Sequence, residues 1–244
     1  QDGNWAYVFH DGNRVSVFNV RNEPIYTQEV VLTGPTAEVT AVTALQGNVS
    51  LIVGDSQGEV AQWFMVRDSS TGVDQFQLKK IRSISVGNAA ITALTPEARR
   101  KGVVIGDANG QVSYYYTTSD RLIMQTSAGD SPIRSLAMSA RSLGLLIQSD
   151  SAYSFWSMEI EHPDISMEST WKSVWYESYE EPTYTWQSSS GTTDFESKLS
   201  LMPLTFGTIK AAFYAMLLGA PLAIFGAMYS AVFMSPALRR KVKP

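Results

Sequence analysis

The sequence predicts a mainly β chain that begins with partial β-propeller blades and ends in one transmembrane α-helix, with an aromatic-rich linker between them. Two observations predict this order. Short β-rich runs recur at regular spacing in the first two thirds of the chain, and a long run without any charged side chain lies near the carboxyl end. The expected parts are residues 1–165, 166–200 and 201–244.

The repeats consist of a strand, a tight turn and a second strand that ends in an aromatic residue. The best copy pairs Ile-Val-Gly-Asp-Ser-Gln-Gly-Glu-Val-Ala-Gln-Trp with Val-Ile-Gly-Asp-Ala-Asn-Gly-Gln-Val-Ser-Tyr-Tyr. Gly58 and Gly110 stand where such a turn needs a positive φ. Asp55 and Asp107 are expected to bond the local backbone of the turn. The four copies are 52–63, 104–115, 146–156 and, in part, 8–18.

A second, alternating run lies upstream of three of these hairpins and keeps the same offsets. These runs begin at Val39, Ile91 and Ile133, which are 52 and 42 residues apart, as are the matching hairpins. The ten extra residues fit a longer polar loop at Arg67–Gln77. Four strands in about 40–45 residues is the period of WD40-like propeller blades, with ordinary β-sandwich hairpins as the alternative. Three and a half units are visible, so further blades are expected before Gln1.

Residues 166–200 hold a concentration of aromatic side chains among glutamates. Tryptophan and tyrosine collect at membrane interfaces and also serve as anchors for protein partners. Packing against the lower face of the propeller is the alternative. Residues 188–193 are predicted to form a hinge or an exposed loop. The candidate partner residues are Trp171, Trp175, Tyr176, Tyr179, Tyr184 and Trp186.

The run from Ala211 to Leu238 has no charged side chain and exceeds the roughly 20 apolar residues that a helix needs to cross a bilayer. A buried helix of a soluble core is the alternative. Small residues let membrane helices approach closely, and Pro221 removes one backbone donor and is expected to bend the helix. The candidate helix-packing residues are Gly207, Gly219, Pro221 and Gly226.

The charges flanking this run predict its orientation. Arg239, Arg240, Lys241 and Lys243 follow it, and such bases stay on the cytoplasmic side of a membrane. Residues 159–200 carry nine Asp and Glu but only two Lys. We therefore expect a cytoplasmic carboxyl end and an extracytoplasmic location for residues 1–200.

Composition and motifs argue against an enzyme. The chain has no cysteine and two histidines, so thiolate zinc sites, disulfides and a catalytic cysteine are excluded and a multi-histidine metal centre nearly so. No nucleophile motif or phosphate-binding loop is present, and we expect no cofactor and no metal. The acidic balance, with a net charge of −4, argues against nucleic-acid binding. Arg99-Arg100-Lys101 is expected to be a solvated basic turn.

The segment Leu-Met-Pro-Leu-Thr-Phe-Gly-Thr at 201–208, the mid-span Pro-Leu-Ala-Ile at 221–224 and the basic turn after Met234-Ser235-Pro236 carry a family resemblance. This part of the chain resembles the second membrane helix of the permease subunit of phosphate-type ABC importers. The large bacterial form of that permease is similar in carrying a WD40-like extracytoplasmic insert before this helix. The aromatic run 175–190 is similar to the stretch that precedes the helix in that form.

The resemblance implies a permease component of an importer for phosphate or a related inorganic anion, located in a bacterial inner membrane. Its implied partners are a second permease subunit, cytoplasmic ATPase subunits that hydrolyse ATP, an extracytoplasmic substrate-binding protein and the lipid bilayer. The propeller is then expected to make protein contacts. The alternative is a propeller scaffold with a single membrane span and no transport role.

Overall fold

The computed structural model describes residues 3–68, 75–191 and 195–242. The chain divides into two compact units, Gln1–Ser200 and Leu201–Pro244. The first unit contains the strands and the aromatic segment, by which we mean residues 166–200. The second unit contains two helices.

The strands of the first unit form four antiparallel meanders, in which each strand pairs with the next one along the chain. Blade 1 is β1 (Trp5–His10), β2 (Arg14–Asn19) and β3 (Ile25–Val31); blade 2 is β4 (Val39–Ala44), β5 (Ser50–Asp55), β6 (Glu59–Asp68) and β7 (Gln75–Ser85). Blade 3 is β8 (Ile91–Pro96), β9 (Gly102–Asp107), β10 (Gln111–Tyr116) and β11 (Arg121–Ser127); blade 4 is β12 (Ile133–Met138), β13 (Gly144–Ser149) and β14 (Tyr153–Ser157). The predicted fold class is therefore confirmed.

The repeat spacing seen in the sequence is reproduced in the strand register. The first strand of blades 2, 3 and 4 carries an irregularity at the same place, directly after Val39, Ile91 and Ile133. A bulge of this kind inserts one extra residue and increases the local twist. The first strands of neighbouring blades also pack side by side, β4 on β8 and β8 on β12, which places them as the inner strands of successive blades.

The turns between the second and third strands have the structure that the sequence predicted. The Asp55 carboxylate accepts hydrogen bonds from the backbone N–H of Gln57 and Glu59, both at 2.9 Å. Asp107 does the same for the next repeat, at 2.9 and 2.8 Å. Gly58 and Gly110 have φ of 85° and 79°. The prediction that Asp55 and Asp107 bond the local backbone of their turns is confirmed.

The expected polar loop at Arg67–Gln77 is shorter than predicted. Arg67 pairs with Phe76 and Asp68 with Gln75, so β6 and β7 extend into a long hairpin. Cross-strand pairing satisfies the backbone groups that a loop would have left to water. The remainder of that prediction, residues 69–74, lies outside the described residues.

Neighbouring blades meet through a glycine on one and an isoleucine on the next. A Cβ added to Gly54 would lie 2.6 Å from Ile91 Cγ2, and one added to Gly106 would lie 2.6 Å from Ile133 Cγ2. The repeated glycine thus makes room for the inner strand of the following blade. At the equivalent place in blade 4 stands Gln148, which donates to the Tyr153 hydroxyl at 3.2 Å.

Gly106→Val is expected to lower the free energy of unfolding by about 1–3 kcal/mol, the usual cost of overpacking a filled core. The methyl groups would overlap Ile133, which is fully buried between blades 3 and 4. Urea unfolding of the full chain in detergent micelles measures this loss. Gly34→Val is the matched control, because no part of the chain that the structure describes lies within 4 Å of a Cβ at that position; an equal loss in both variants would contradict the assignment.

The aromatic segment contains one short helix and one small ladder. Helix α1 spans Met167–Trp171 and is capped by Ser166, whose hydroxyl accepts from the Ser169 N–H. Strands β15 (Trp186–Gln187) and β16 (Lys198–Leu199) pair with each other. In the region predicted to be a hinge, residues 188–191 form no helix or strand, and 192–193 lie outside the described residues.

The second unit is dominated by α2, Met202–Phe233, which is followed by α3, Pro236–Val242. Pro203 lies in the first turn of α2, where its missing N–H costs nothing. The helix continues through Pro221, and every residue in it is exposed or half-exposed. Its apolar side chains are distributed around the whole circumference. By length and composition it is a helix that can cross a membrane.

Candidate functional site: the aromatic segment on the base of the blades

The aromatic segment lies on one end of blades 2 and 3, which we call the base. The base is formed by the β4–β5, β8–β9 and β10–β11 turns, residues 45–49, 97–101 and 117–120. Its turns contact one another, as when the Lys101 ammonium donates to the Gln46 carbonyl at 2.7 Å. The Thr117 N–H donates in turn to the Lys101 carbonyl at 3.1 Å.

The start of the segment and the residues just before it are held at the β10–β11 turn. Ser119 donates to the Pro163 carbonyl at 2.6 Å, and Ser166 donates to the Ser119 carbonyl at 3.0 Å. The Arg121 guanidinium donates to the Ile165 carbonyl at 2.6 Å. These bonds fix the entry into α1, and they explain why the segment belongs to the same compact unit as the blades.

A buried ion pair joins the middle of the segment to the base. The Lys101 ammonium lies 2.6 Å from Glu177 Oε2, and the two side chains are 1% and 8% exposed. The other carboxylate oxygen of Glu177 accepts from the Ser50 hydroxyl at 2.6 Å, and Ser50 accepts from Gln62 at 2.7 Å. Every polar atom of the pair therefore has a bonding partner, as burial of two charges requires.

Glu196 completes this network from the far end of the segment. One of its carboxylate oxygens accepts from the Glu177 N–H at 2.9 Å, and the other accepts from the Thr118 hydroxyl. Burial raises the pKa of Glu177, and the neighbouring Glu196 charge raises it further, while Lys101 and Ser50 act in the opposite direction. The pocket thus holds two carboxylates and one ammonium, with the Lys101 charge compensating the desolvated pair.

The prediction of a solvated basic turn at Arg99-Arg100-Lys101 is wrong for Arg100 and Lys101. Lys101 is buried, as described above. Arg100 is half-buried and donates to Glu97 at 2.6 Å, and the Tyr114 hydroxyl donates to the same carboxylate at 2.5 Å. The reason is that both cations meet carboxylates in the interior, and such pairing is the condition under which charged side chains are buried.

Three of the six candidate aromatic residues pack inward. Tyr176 is fully buried, and Trp175 lies edge-on to Phe64 with ring centroids 6.3 Å apart. Tyr179 packs on Tyr176 at 5.9 Å. Burial raises the pKa of Tyr176 to about 12. These rings are part of the joint between the segment and the blades. This agrees with the alternative prediction, in which the aromatic residues pack against the lower face of the propeller.

The Lys198 ammonium lies over three rings at the centre of this joint. It is 5.6 Å from the centroids of Tyr176 and of Tyr179, and 5.1 Å from that of Phe195. The ammonium also donates to Gln187 at 3.1 Å. An ammonium within about 6 Å of ring faces is stabilised by their quadrupoles. Lys198 was not singled out from the sequence, where only its basic character in an acidic stretch marks it.

The other three candidate aromatic residues face outward. Trp171, Tyr184 and Trp186 are 42%, 50% and 43% exposed. A cleft of about 250 Å³ lies beside Trp175, and its lining carries charges of both signs. It is lined in part by Arg82, Asp120, Glu168 and Lys172. The structure therefore separates one predicted group into a buried set and an exposed set.

The four candidate helix-packing residues do not share one face of α2. Gly219 and Gly226 are seven residues apart and fall on the same side at 3.6 residues per turn. Pro221 lies about 200° from Gly219 around the helix, and Gly207 about 120°. Apart from the neighbouring turns of α2 itself, none of the described residues lies within 4 Å of a Cβ built on any of the three glycines.

No family model matches the sequence, and no curated protein matches it either. Solved structures do match the blades. The Cps50 (Swd1) β-propeller domain of Myceliophteria thermophila matches with a TM-score of 0.53 and 12% identity, over 64% of this chain and 48% of that one. A chain of the Mitotic Checkpoint Complex matches at 0.50 and 19%, over 63% and 44%.

The computationally designed Ika4 protein also matches, with a TM-score of 0.50 and 18% identity, over 64% of this chain and 86% of that one. The chain thus spans less than half the length of the first two proteins and most of the designed one. At these identities the likeness shows the fold alone. In its described residues the chain contains WD40-like β-propeller blades, followed by one helix long and apolar enough to cross a membrane.

Proposed function

We propose that the chain is part of the membrane permease of a phosphate-type ABC importer, with its propeller outside the cytoplasm as a surface for protein contacts. The observation that carries the proposal is α2, a 32-residue helix with Pro203 in its first turn and Pro221 in its interior. These are the places where the resembled permease helix has its two prolines. ATP hydrolysis belongs to a separate subunit, since the sequence holds no phosphate-binding loop.

The distribution of small residues on α2 supports a place among other membrane helices. Spacings of three and four residues put six small side chains on one face, within about 40° of Gly219. Small residues at such spacing let helix backbones approach closely in lipid, whereas a single span surrounded by lipid gains nothing from them. The six are Ala212, Ala215, Gly219, Ala223, Gly226 and Ser230.

The charge distribution supports the orientation. Residues 201–244 carry five bases and no acid, and four of the bases follow Leu238. Residues 159–200 are strongly acidic. Positive residues beside a span stay in the cytoplasm, so the propeller lies on the opposite side, where a substrate-binding protein would deliver its anion. ATP-driven rocking of the packed helices would then open the path alternately to the two sides.

The double variant Gly219→Leu with Gly226→Leu is expected to reduce phosphate uptake at least tenfold. The new side chains would separate α2 from the helix packed on its small face. The measurement is radiolabelled phosphate uptake by cells that depend on the intact permease, its ATPase subunits and its binding protein. Ala220→Leu, about 100° away on the helix, is the control and is expected to keep near-normal uptake.

A propeller scaffold with a single span is the alternative, favoured by the fact that α2 is the one apolar span among the described residues. The same uptake assay separates the two functions. Phosphate uptake that depends on the intact protein supports the permease. Full membrane insertion with no uptake, and no co-purification of ATPase subunits, supports the scaffold and rejects the permease.

A further inference from the structure

The exposed half of the aromatic segment is a separate surface from the joint beneath it. Trp171, Tyr184 and Trp186 each leave 42–50% of their surface uncovered, while Trp175 and Tyr176 pack against the blades. Half-exposed tryptophan rings are costly in water, because their large apolar area stays hydrated. Their exposure therefore calls for an environment that accepts both an apolar ring and its polar N–H or O–H.

Trp186 and Tyr184 lie beside the last residues of the first unit. Trp186 pairs directly with Leu199 in the β15–β16 ladder, and the Ser200 N–H donates to the Thr185 carbonyl at 3.1 Å. Helix α2 begins three residues after Leu199. Three residues span at most about 10 Å, so the connecting chain is too short to let α2 begin far from Leu199, the ladder partner of Trp186.

The backbone pairing within the segment keeps Trp171 near Tyr184 along the chain. An isolated antiparallel bridge joins Val174 and Thr183, with a mutual pair of hydrogen bonds at 3.0 and 3.1 Å. Trp171 is three residues before this bridge, and Tyr184 follows it by one residue. In α1, Met167 stands four residues before Trp171 and is 77% exposed, so both side chains project from one side of that short helix.

The charge of this region favours aromatic over electrostatic attachment to lipid. Nine acids and two lysines lie between residues 159 and 200, and one of the lysines, Lys198, is buried among rings. Anionic headgroups would repel such a surface. Tryptophan and tyrosine settle at the headgroup level of neutral bilayers through their amphipathic rings.

We propose that Trp171, Tyr184 and Trp186 form an aromatic foot by which the propeller unit rests in the headgroup layer of the bilayer. This inference rests on the proposed membrane placement of α2. The foot would hold the base of the blades at the membrane surface through contacts with zwitterionic lipid, while Trp175 and Tyr176 attach the segment to the blades.

The test is tryptophan quenching of the full chain in phosphatidylcholine nanodiscs that contain a headgroup-proximal spin-labelled lipid. Chains that keep one tryptophan each, with the other five replaced by phenylalanine, are compared. We expect Trp171 and Trp186 to be quenched at least threefold more than the buried Trp63. Equal quenching of all three would overturn the aromatic foot. If the fivefold replacement unfolds the blades, Trp171→Phe and Trp186→Phe in the otherwise unchanged chain give the same answer as a lost quenched fraction, with Trp5→Phe as control.

Two further readouts separate the causes of a negative result. Extraction by alkaline carbonate reports whether α2 is inserted. A chain that carbonate removes from the membrane contradicts the proposed function. A chain that stays inserted while its rings are unquenched contradicts only the aromatic foot. Rings that the spin-labelled lipid leaves unquenched, but that a substrate-binding protein protects from a water-soluble quencher, would assign this surface to a protein partner. That result would reject the lipid contact. Quenching that requires anionic lipid would also reject it.

Discussion

Lys101→Met is expected to lower the free energy of unfolding of the propeller unit by about 3–5 kcal/mol, the usual cost of removing one partner from a buried ion pair. The Lys101 ammonium is 2.6 Å from Glu177 and is almost fully buried. Without it, the carboxylates of Glu177 and Glu196 share a desolvated pocket with no cation from Lys101 to compensate them. Methionine fills a similar volume, so loss of charge rather than of packing dominates.

Urea unfolding of the full chain in detergent micelles measures this effect. All six tryptophans precede Leu201, so their fluorescence reports the propeller unit while the helix stays in the micelle. Lys172→Met is the matched control, because Lys172 pairs with Glu168 at the exposed end of α1. An unfolding midpoint in Lys101→Met equal to that of Lys172→Met would contradict the buried pair.

Neutralising the partner carboxylate is expected to cost less than removing the lysine. The pKa of Glu177 is raised chiefly by burial and then by Glu196, which means that the pocket favours the protonated form of Glu177 more than water does. Glu177→Gln mimics that neutral form. Adding Glu177→Gln to Lys101→Met should therefore recover part of the lost stability, and a double variant weaker than the single one would contradict this account.

The same pair predicts a pH dependence for Lys101→Met. A carboxyl group whose pKa is higher in the folded state than in the unfolded state stabilises the fold at low pH, and this contribution is lost as the pH rises. Loss of the lysine raises the pKa of Glu177 further. The stability deficit of the variant should thus be greatest near neutral pH and should shrink as the pH falls toward about 4.3, the ordinary pKa of glutamate.

Local patterns account for what could be predicted of the fold. Hairpin turns such as Asp107 to Gly110 depend on residues a few positions apart, so their sequence carries both the strands and the turn chemistry. The apolar run likewise marks α2 through its composition. The positions of bulges after Ile91 and Ile133 did not show in the sequence, because a bulge is set by how a strand packs on its neighbouring blade.

The candidate site depends on contacts between residues far apart in the chain. Lys101 and Glu177 are separated by 76 residues, so the local sequence around the basic turn did not indicate which carboxylate pairs with Lys101 in the interior. The aromatic residues were found by composition, but composition does not separate Tyr176 inside the joint from Trp186 outside it. That separation comes from the ladder of Trp186 with Leu199 and from the packing of Trp175 on Phe64.

Alkaline pH is expected to unfold the blades steeply. Burial raises the pKa of Tyr176 to about 12 and also raises the pKa values of Tyr114, Tyr115 and Tyr116 above their ordinary value. The unfolded chain then releases phenolic protons at a lower pH than the folded chain does. Stability is therefore lost from about pH 10 upward, by about 1.4 kcal/mol per pH unit for each such tyrosine.

Tyr176→Phe tests this linkage at a position that the joint can tolerate, because the ring and its contacts with Tyr179 and Lys198 are kept. The measurement is the slope of unfolding free energy against pH between about 10 and 11.5, from urea titrations followed by tryptophan fluorescence, with tyrosinate absorbance recorded in parallel. The variant should lose one tyrosine's share of the slope and gain resistance to alkali relative to its stability at neutral pH. Equal slopes in parent and variant would mean that the Tyr176 hydroxyl reaches solvent, and that the aromatic segment is not sealed against the base of the blades.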